Sequence, residues 1–195
     1  METGQNKIPY DELAFDIDGV VADTFRAFVK VARSQYGVQL QYEAITDYDF
    51  MSVMDIKGDV FNEIIERVLE DPLGMGISPM NGAVEVLVRL MELGPLVLVT
   101  ARPDNGAIER WLEENLGLNG NNNRIYLEAT GTHREKLPRL LKHGIKYFIE
   151  DRLETCYLIH EVSLTPIVFE QPWNQKPHPF RTVRDWHEIS ALIEW

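Results

Sequence analysis

The chain has 195 residues, of which 45% are hydrophobic, so it can bury a core and is not a mainly disordered protein. Its formal net charge of −12 argues against a nucleic-acid polymer or an anionic membrane as a partner, because like charges repel. A small phosphorylated substrate is not excluded, since a bound cation reverses the field inside a cleft.

Short apolar runs along the chain predict buried strands. In chain order these runs are Leu13 to Phe15, Pro95 to Val99, Ile125 to Leu127, Ile145 to Ile149 and Pro166 to Phe169. The segments between them have the periodicity of amphipathic helices. Strands that alternate with helices predict an α/β fold, with a Rossmann-like parallel sheet covered by helices on both faces.

Two of the predicted helices have recognisable ends. An apolar stripe runs from Val84 to Met91, with Asn81 as a candidate N-cap and Gly94 as the stop. A second stripe runs from Ile108 to Leu116 and ends at Gly117. Both helices would lie against the predicted sheet, because each presents one apolar face.

The segment after the first strand interrupts the alternation of strands and helices. It contains one helical stretch from Phe25 to Tyr36, closed by Gly37, and a second from Val60 to Leu69, without a convincing core strand. We interpret it as a small α-helical cap inserted into the sheet domain, although a long packed crossover connection would give the same pattern. The predicted division is a core of residues 1–24 and 78–195 and a cap of residues 25–77.

Two carboxylates follow the first predicted strand. Asp16 and Asp18 are two positions apart, so on an extended chain they point to the same side, and Gly19 permits a sharp turn after them. Packing gives no reason to place two like charges together, because each opposes ionisation of the other. A hard cation and a reacting electrophile would give the reason. The plain alternative is a solvated strand end followed by a turn.

Polar residues also follow two other predicted strands. Thr100, Ala101 and Arg102 come after one, and Glu150 and Asp151 after another. Ligands of open parallel sheets bind at the carboxyl ends of the strands, so these residues would share one site with the first pair. They supply oxygen ligands for Mg²⁺ and donors for an anion. Taken singly, the same residues could cap or charge the helices that follow.

Lys136 is the candidate cation for a substrate phosphate. It lies just before the predicted strand that ends in the two acidic residues. Thr132 and Glu135 have the spacing of a capping box, which predicts a helix start at this point. Pro138 indicates that the helix begins a few residues later, because proline is tolerated only in the first turn. An ordinary solvated lysine is the alternative.

These residues resemble the four ordered motifs of the haloacid dehalogenase (HAD) superfamily of phosphohydrolases. The motifs are Asp16-Ile17-Asp18-Gly19-Val20, Thr100, Lys136 and Glu150-Asp151. Within that superfamily the chain is most similar to the 5'-nucleotidase branch, which includes the 5'(3')-deoxyribonucleotidases. The narrower likeness is carried by Thr100-Ala101-Arg102-Pro103, Glu150-Asp151-Arg152 and the loop from Phe169 to Asn174.

The resemblance implies a role for each of these residues. Asp16 would be the nucleophile that forms an aspartyl-phosphate, and Asp18 would be the general acid and then the general base. The residues that would hold the phosphoryl group are Thr100, Ala101, Arg102 and Lys136. The resemblance also implies the strand order and a helical cap after the first motif.

The resemblance further implies Mg²⁺ as the cofactor. The ion would be bound by the Asp16 carboxylate, the Asp18 backbone carbonyl and Asp151. Glu150 departs from the family pattern, because many relatives have Asp or Gly there. We expect its longer side chain to take part in the metal site through a water molecule or a neighbouring ligand.

The residues that set substrate specificity are less clearly marked. Phe25, Phe28, Tyr48 and Phe50 could form an aromatic wall for a nucleobase, or could be the small core of the cap itself. The function that we predict is therefore hydrolysis of a small phosphate ester, with a (deoxy)nucleoside monophosphate as the first candidate. A sugar phosphate is the alternative substrate.

Functions of other classes are also open. A phospho-acceptor domain that does not turn over, a silent ligand-binding relative or a nucleotide-sugar transferase would use some of the same residues. The position of the Asp pair on the first strand argues against the transferase. A single cysteine, Cys156, cannot form an internal disulfide, and residues 1–7 lack the features of a signal peptide. We therefore expect a cytoplasmic protein; the sequence does not indicate its oligomeric state.

Overall fold

The computed structural model describes residues 7–49, 56–118 and 124–195, and a parallel sheet runs through them. Its strands are β1 (Leu13–Phe15), β2 (Leu96–Thr100), β3 (Ile125–Ala129), β4 (Tyr147–Glu150), β5 (Thr165–Phe169) and β6 (Arg181–Val183). They lie in the order β3-β2-β1-β4-β5-β6, with every neighbouring pair parallel. The first strand is thus central, with β2 and β4 on either side of it.

Helices cover both faces of this sheet. They are α1 (Thr24–Tyr36), α2 (Gly58–Glu70), α3 (Ala83–Leu93), α4 (Gly106–Leu116), α5 (Lys136–Lys142), α6 (Leu153–His160) and α7 (Trp186–Leu192). Phe15 faces an apolar cluster with residues of α1 to α4 and α7, whereas its neighbour Ala14 faces a second cluster with residues of α5 and α6. Successive strand residues point to opposite faces, so the two clusters are the two faces of the sheet. The predicted fold class is confirmed.

The predicted elements are present, with small differences at their ends. Each of the five predicted strands lies within two residues of its observed bounds. The strand β6 was not predicted, because no apolar run marks it and Val183 is its one buried residue. Asn81 is wrong as the N-cap of α3: Gly82, with φ of 82°, takes that position. Gly94 and Gly117 end α3 and α4 as predicted.

In the described part of the segment between β1 and β2, the longer regular elements are helices, joined by turns and loops. α1 ends at Gly37, whose φ of 67° is readily adopted by glycine. Phe28 of α1 packs on Phe61 of α2, with ring centroids 5.3 Å apart. Both helices contribute to the same apolar cluster as Phe15. The boundary between cap and core therefore stays a prediction.

Two buried tryptophans fix the chain at the ends of this segment. The indole of Trp186 stacks on Phe15 at 5.2 Å and donates a hydrogen bond to the Val20 carbonyl at 2.8 Å. Trp111 donates to the Ile77 carbonyl at 2.9 Å. The chain is thus held where it leaves the sheet after β1 and where it returns toward α3.

Two further features concern the single cysteine and the lengths of the helices. Cys156 is fully buried on α6, where it packs as a small apolar residue. Across the described ranges, each helix is too short or too polar to cross a membrane.

Candidate active site

The predicted site residues meet at one edge of the sheet. Asp16 directly follows β1, Thr100 is the last residue of β2 and Glu150 is the last residue of β4. The three strands are adjacent and parallel, so their carboxyl ends lie together, as in other open α/β sheets. The backbone N–H of Asp16 still pairs with the Ile149 carbonyl at 2.9 Å, and the sheet therefore places this carboxylate firmly.

A buried lysine ties the acidic residues together. The Nζ atom of Lys136 lies 2.9 Å from Oδ1 of Asp16 and 2.8 Å from Oε2 of Glu150. The lysine and Glu150 side chains are fully buried, and that of Asp16 is almost so. Burial opposes the charged form of Lys136, but the two carboxylates more than offset this effect and raise its pKa. The side chain is therefore a buried ammonium paired with two carboxylates, not a solvated surface lysine.

The local sequence explains where this lysine lies. α5 begins at Lys136, later than Thr132, and Pro138 is its third residue, where the backbone needs no N–H donor. The Thr132 hydroxyl accepts the N–H of Glu135 at 3.3 Å, so part of the predicted capping box forms, but in the turn before the helix. The first residue of α5 thus reaches into the site.

Three buried carboxylates could hold a cation. Asp16, Glu150 and Asp151 each offer an oxygen, and these atoms lie within 4.8 Å of one another. Oδ1 of Asp151 is buried and has no hydrogen-bond partner among the described residues. A buried, unpaired carboxylate oxygen is costly, and a hard cation would satisfy it. The residues present therefore fit Mg²⁺, the ion that the resemblance implies.

The pKa values of the three carboxyl groups are shifted from their usual values in different directions. Burial raises the pKa of Asp16 well above its usual value, and the charge of Glu150 adds to this shift. Burial, Glu150 and Asp16 likewise raise the pKa of Asp151. Burial also acts to raise the pKa of Glu150, but the Lys136 ammonium outweighs it, so this pKa lies below its usual value. Without a cation, the cluster therefore resists full ionisation.

Glu150 differs from the two aspartates in its hydrogen bonds. Its Oε1 atom accepts the backbone N–H groups of Asp151 and Arg152 at 3.1 and 3.0 Å, while Oε2 accepts Lys136. Both oxygens are thus already engaged by the protein, whereas one oxygen of Asp151 has no partner among the described residues. This arrangement favours the prediction that Glu150 supports the metal site indirectly.

Asp151 is held by residues of the loop after β5. Trp173 donates its indole N–H to Oδ2 of Asp151 at 3.1 Å, and the Asn174 amide donates to the Asp151 carbonyl at 2.8 Å. Gln171 of the same loop donates to the Gly19 carbonyl at 2.6 Å, which joins the loop to the turn after β1. These three residues were not predicted as site residues. In the sequence they are marked only by their position in the loop of residues 169–174, which resembles the nucleotidase branch.

Asp18 is surrounded by hydrogen-bond donors. Its carboxylate accepts the hydroxyls of Thr24 at 2.6 Å and Thr100 at 3.3 Å, and two N–H groups of Arg102 at 3.0 and 2.8 Å. Burial acts to raise the pKa of Asp18, but Arg102 and Thr24 lower it below its usual value. Ala101 lies between the two donors of the β2 end and is half-buried. The phosphate-binding roles of Thr100, Ala101 and Arg102 stay predictions.

An aromatic group lies beside the carboxylates. The Tyr48 ring makes edge contacts with Phe25 and His133, with centroids 5.5 and 5.4 Å away, and the Arg152 guanidinium lies 4.9 Å from its centre. Phe25 in turn stacks on Trp173 at 4.0 Å. Burial and the nearby carboxylates, Asp151 first, raise the pKa of the Tyr48 hydroxyl. Two of the predicted wall residues are therefore linked to the site.

The other two members of the predicted wall are not placed there. Phe28 is buried against Phe61 between α1 and α2, in agreement with the alternative that it belongs to the core of the helical segment. Phe50 lies outside the described residues.

Replacement of Gly19 by alanine is expected to disturb the position of Asp151. Gly19 has φ of 82°, and a Cβ atom there would lie 2.0 Å from Oδ2 of Asp151. Left-handed backbone strain costs about 1–2 kcal/mol and the forced repacking adds about 1–3 kcal/mol. Gly37→Ala is the matched control, since Gly37 has φ of 67° with no described atom within 4 Å of its Cβ position. Urea denaturation should give the larger loss of unfolding free energy for Gly19→Ala; equal losses would contradict the clash.

Asp151→Asn is expected to stabilise the metal-free protein in a pH-dependent way. The pKa of Asp151 in the folded protein is raised from its ordinary value of 3.8, so its contribution to stability falls as the pH rises above 3.8. The variant does not lose stability in this way. Its unfolding free energy should therefore exceed that of the native protein by an amount that grows as the pH rises above 3.8. Denaturation in the presence of a chelator at several pH values measures this gain. A gain that shrinks as the pH rises would contradict the raised pKa; Glu161→Gln, at an exposed position, is the control.

Comparison with solved structures supports the fold. A HAD-superfamily hydrolase from Ehrlichia chaffeensis has a TM-score of 0.55 and 16% identity, with 95% of this chain and 96% of that chain covered. A HAD-superfamily hydrolase from Geobacter sulfurreducens has a TM-score of 0.56 and 16% identity, with 93% and 95% covered. At such identities the likeness concerns the fold alone. No curated protein sequence matches the chain significantly.

Comparison with family models is more specific. Residues 11–194, nearly the whole chain, match the model described as 5' nucleotidase, deoxy (pyrimidine), cytosolic type C protein. That range includes every residue of the carboxylate cluster and of the loop that holds it. The protein is therefore an enzyme of the phosphatase and nucleotidase type, and the chain belongs to the 5' nucleotidase, deoxy (pyrimidine), cytosolic type C family of HAD-like phosphohydrolases.

Proposed function

We propose that the protein is a Mg²⁺-dependent phosphomonoester hydrolase that acts through an aspartyl-phosphate. Its first candidate substrate is a (deoxy)nucleoside monophosphate, in keeping with the family to which the chain belongs. The observation that carries the proposal is the Asp16 carboxylate at the central strand end, paired with the buried Lys136 at 2.9 Å. Such a carboxylate is fixed in place and lies where the ligands of α/β sheets bind.

Asp16 would act as the nucleophile. Its carboxylate oxygen attacks the phosphorus atom, the bond from phosphorus to the leaving oxygen breaks, and the phosphoryl group is carried by Asp16 until water releases it. The Lys136 ammonium supports this step in two ways. It fixes the orientation of the carboxylate, and it lowers the cost of bringing a phosphate dianion close to buried acidic residues.

Asp18 would handle the protons. It would protonate the leaving oxygen in the first step, and then take a proton from the water that attacks the phosphoryl-aspartate. Its carboxylate is oriented by the hydroxyl of Thr24 and the guanidinium of Arg102. Thr100 at the end of β2 and Lys136 would also donate to the phosphoryl oxygens once a substrate is bound.

Mg²⁺ would be held by the Asp16 and Asp151 carboxylates and by the Asp18 backbone carbonyl, with Glu150 in support. When bound there, the ion would offset the negative charge that the carboxylates and the phosphate share. Trp173 and Asn174 fix Asp151, so they would set the position of its second oxygen. These residues act by orienting a ligand, in the way that outer groups of metal sites do.

The nucleoside part of the substrate would lie toward the aromatic group. Tyr48 is half-buried beside the carboxylates, and Phe25 stacks behind it on Trp173. An aromatic side chain next to a phosphate site suits a flat nucleobase. We further propose that the protein acts on a free small molecule in the cytoplasm, without a nucleic-acid polymer or a membrane as partner.

The experiment that tests the proposed function compares the native protein with Asp16→Asn. Purified native protein should release phosphate from deoxynucleoside monophosphates in the presence of Mg²⁺, and a chelator should stop the reaction. The variant should lose kcat by at least about 10³-fold, because it lacks the nucleophile. Glu114→Gln, at an exposed position on α4, removes one negative charge elsewhere and should keep full activity.

A substrate panel decides the finer points of the proposal. Faster hydrolysis of sugar phosphates than of nucleoside monophosphates would support phosphatase activity but contradict the proposal that the substrate is a nucleotide. Retained activity in Asp16→Asn would overturn the covalent mechanism. A stable phosphoprotein without release of phosphate would identify a phospho-acceptor domain instead.

A further inference from the structure

Arg102 makes contacts that a phosphate-binding residue does not need. Its side chain is only 3% exposed, although it closely follows the end of β2 at the site. Its Nε–H donates to Oδ2 of Asp18 at 3.0 Å, and an Nη2–H donates to Oδ1 at 2.8 Å. The guanidinium therefore holds the Asp18 carboxylate with a two-pronged hydrogen bond, which fixes orientation as well as charge.

The remaining terminal nitrogen of Arg102 points to a different part of the chain. Nη1 donates to the Val68 carbonyl at 3.0 Å and to the Leu69 carbonyl at 3.3 Å. Both carbonyls belong to the last turn of α2, which ends at Glu70. The last four carbonyls of a helix have no partner within the helix, and its C-terminal end attracts a cation. Arg102 thus serves as a hydrogen-bond donor for this helix end.

One guanidinium therefore joins two elements that are far apart in sequence. It connects Asp18, next to the central strand, with the end of α2 in the helical segment that we interpret as a cap. Both sets of hydrogen bonds need the planar, five-donor fork of arginine. They can exist together only while the end of α2 lies against this edge of the sheet.

The link through Arg102 bears on the reaction, because Arg102 is one of several residues that donate hydrogen bonds to the Asp18 carboxylate. Its two oxygens accept four donors, namely two from Arg102 and the hydroxyls of Thr24 and Thr100. A carboxylate has about four acceptor positions, so the protein occupies them all. To give a proton to a leaving oxygen, the carboxyl must be freed from some of these donors while it keeps its direction.

We propose that Arg102 is a positioning residue that makes the orientation of the Asp18 carboxyl depend on the docking of the α2 end, and is not a ligand of the substrate phosphate. This inference rests on the proposed function, in which Asp18 is the general acid. When the end of α2 is in place, Arg102 aims the carboxyl at the leaving oxygen. When α2 moves away, the guanidinium cannot keep both partners and Asp18 loses its orientation.

The test compares two phosphate esters that differ in their need for an acid. p-Nitrophenyl phosphate releases a stable anion that leaves without a proton, whereas deoxythymidine 5'-monophosphate releases an alkoxide that requires one. The ratio kcat/KM reports only the steps up to release of the leaving group, so it excludes the later hydrolysis in which Asp18 acts as the base. In Arg102→Lys, kcat/KM for the nucleotide should fall by about 10²-fold, the usual contribution of general acid catalysis. The kcat/KM for p-nitrophenyl phosphate should change little, and inorganic phosphate should inhibit native protein and variant equally.

Other results would overturn the inference. Equal losses of kcat/KM for the two esters would show that Arg102 does not act through the acid. Higher KM for both esters with weaker inhibition by inorganic phosphate would restore the phosphate-binding role that the sequence predicts. Circular dichroism checks that the variant is folded. If lysine does not support folding, Arg102→Gln is measured in its place, and the same difference between the two esters is required.

A second measurement does not depend on phosphatase activity. If the native protein hydrolyses neither ester, the proposed function fails, but the link between Arg102 and α2 can still be examined by hydrogen exchange. Loss of charged hydrogen bonds to the helix end should make the last-turn amides of α2 exchange about tenfold faster or more in Arg102→Lys. The amides of α1 in the same sample are the internal control. Unchanged exchange at the end of α2 would overturn the link.

Discussion

The arrangement of the site depends on the ammonium group of Lys136, buried between the carboxylates of Asp16 and Glu150. Parallel strands bring acidic residues to one edge of the sheet, and these would repel each other without a cation among them. With Asp16, Glu150 and Asp151 ionised and Lys136 protonated, three negative charges and one positive charge leave a net charge of −2. A divalent cation balances that charge. The same ion pairs thus fix Asp16 and leave a net negative charge that a divalent cation would offset.

The residues around the cluster can be understood as the means of keeping it in place. Gly19 leaves room for the Asp151 carboxylate, which a single Cβ atom would displace. Trp173 and Asn174 hold Asp151 by its carboxylate and its carbonyl. This placement costs stability, because in the absence of a cation one carboxylate oxygen is buried without a partner among the described residues. Such local departures from good packing are typical of functional sites.

The sequence predicted those features that depend on short-range pattern and on parallel topology. Apolar runs marked five strands, and the rule that ligands bind at strand ends brought Asp16, Thr100 and Glu150 together. It could not predict contacts that only the folded chain creates. Arg102 meets Asp18 across 84 positions and Val68 across 34, so its engagement by both is not visible in any motif. The hydrogen bond from Trp173 to Asp151 could not be predicted either, since an isolated tryptophan in a loop predicts only burial.

The central claim is that the carboxylate held by Lys136 is the group that receives the phosphoryl group. Acid quenching of the native protein during turnover, followed by borohydride reduction and mass spectrometry of its peptides, tests this claim directly. Reduction converts an aspartyl-phosphate to the corresponding alcohol and so marks the residue that carried the phosphoryl group. We predict the mark on Asp16 alone, and only when substrate is present. A mark on another residue, or rapid turnover with no mark at all, would contradict the claim.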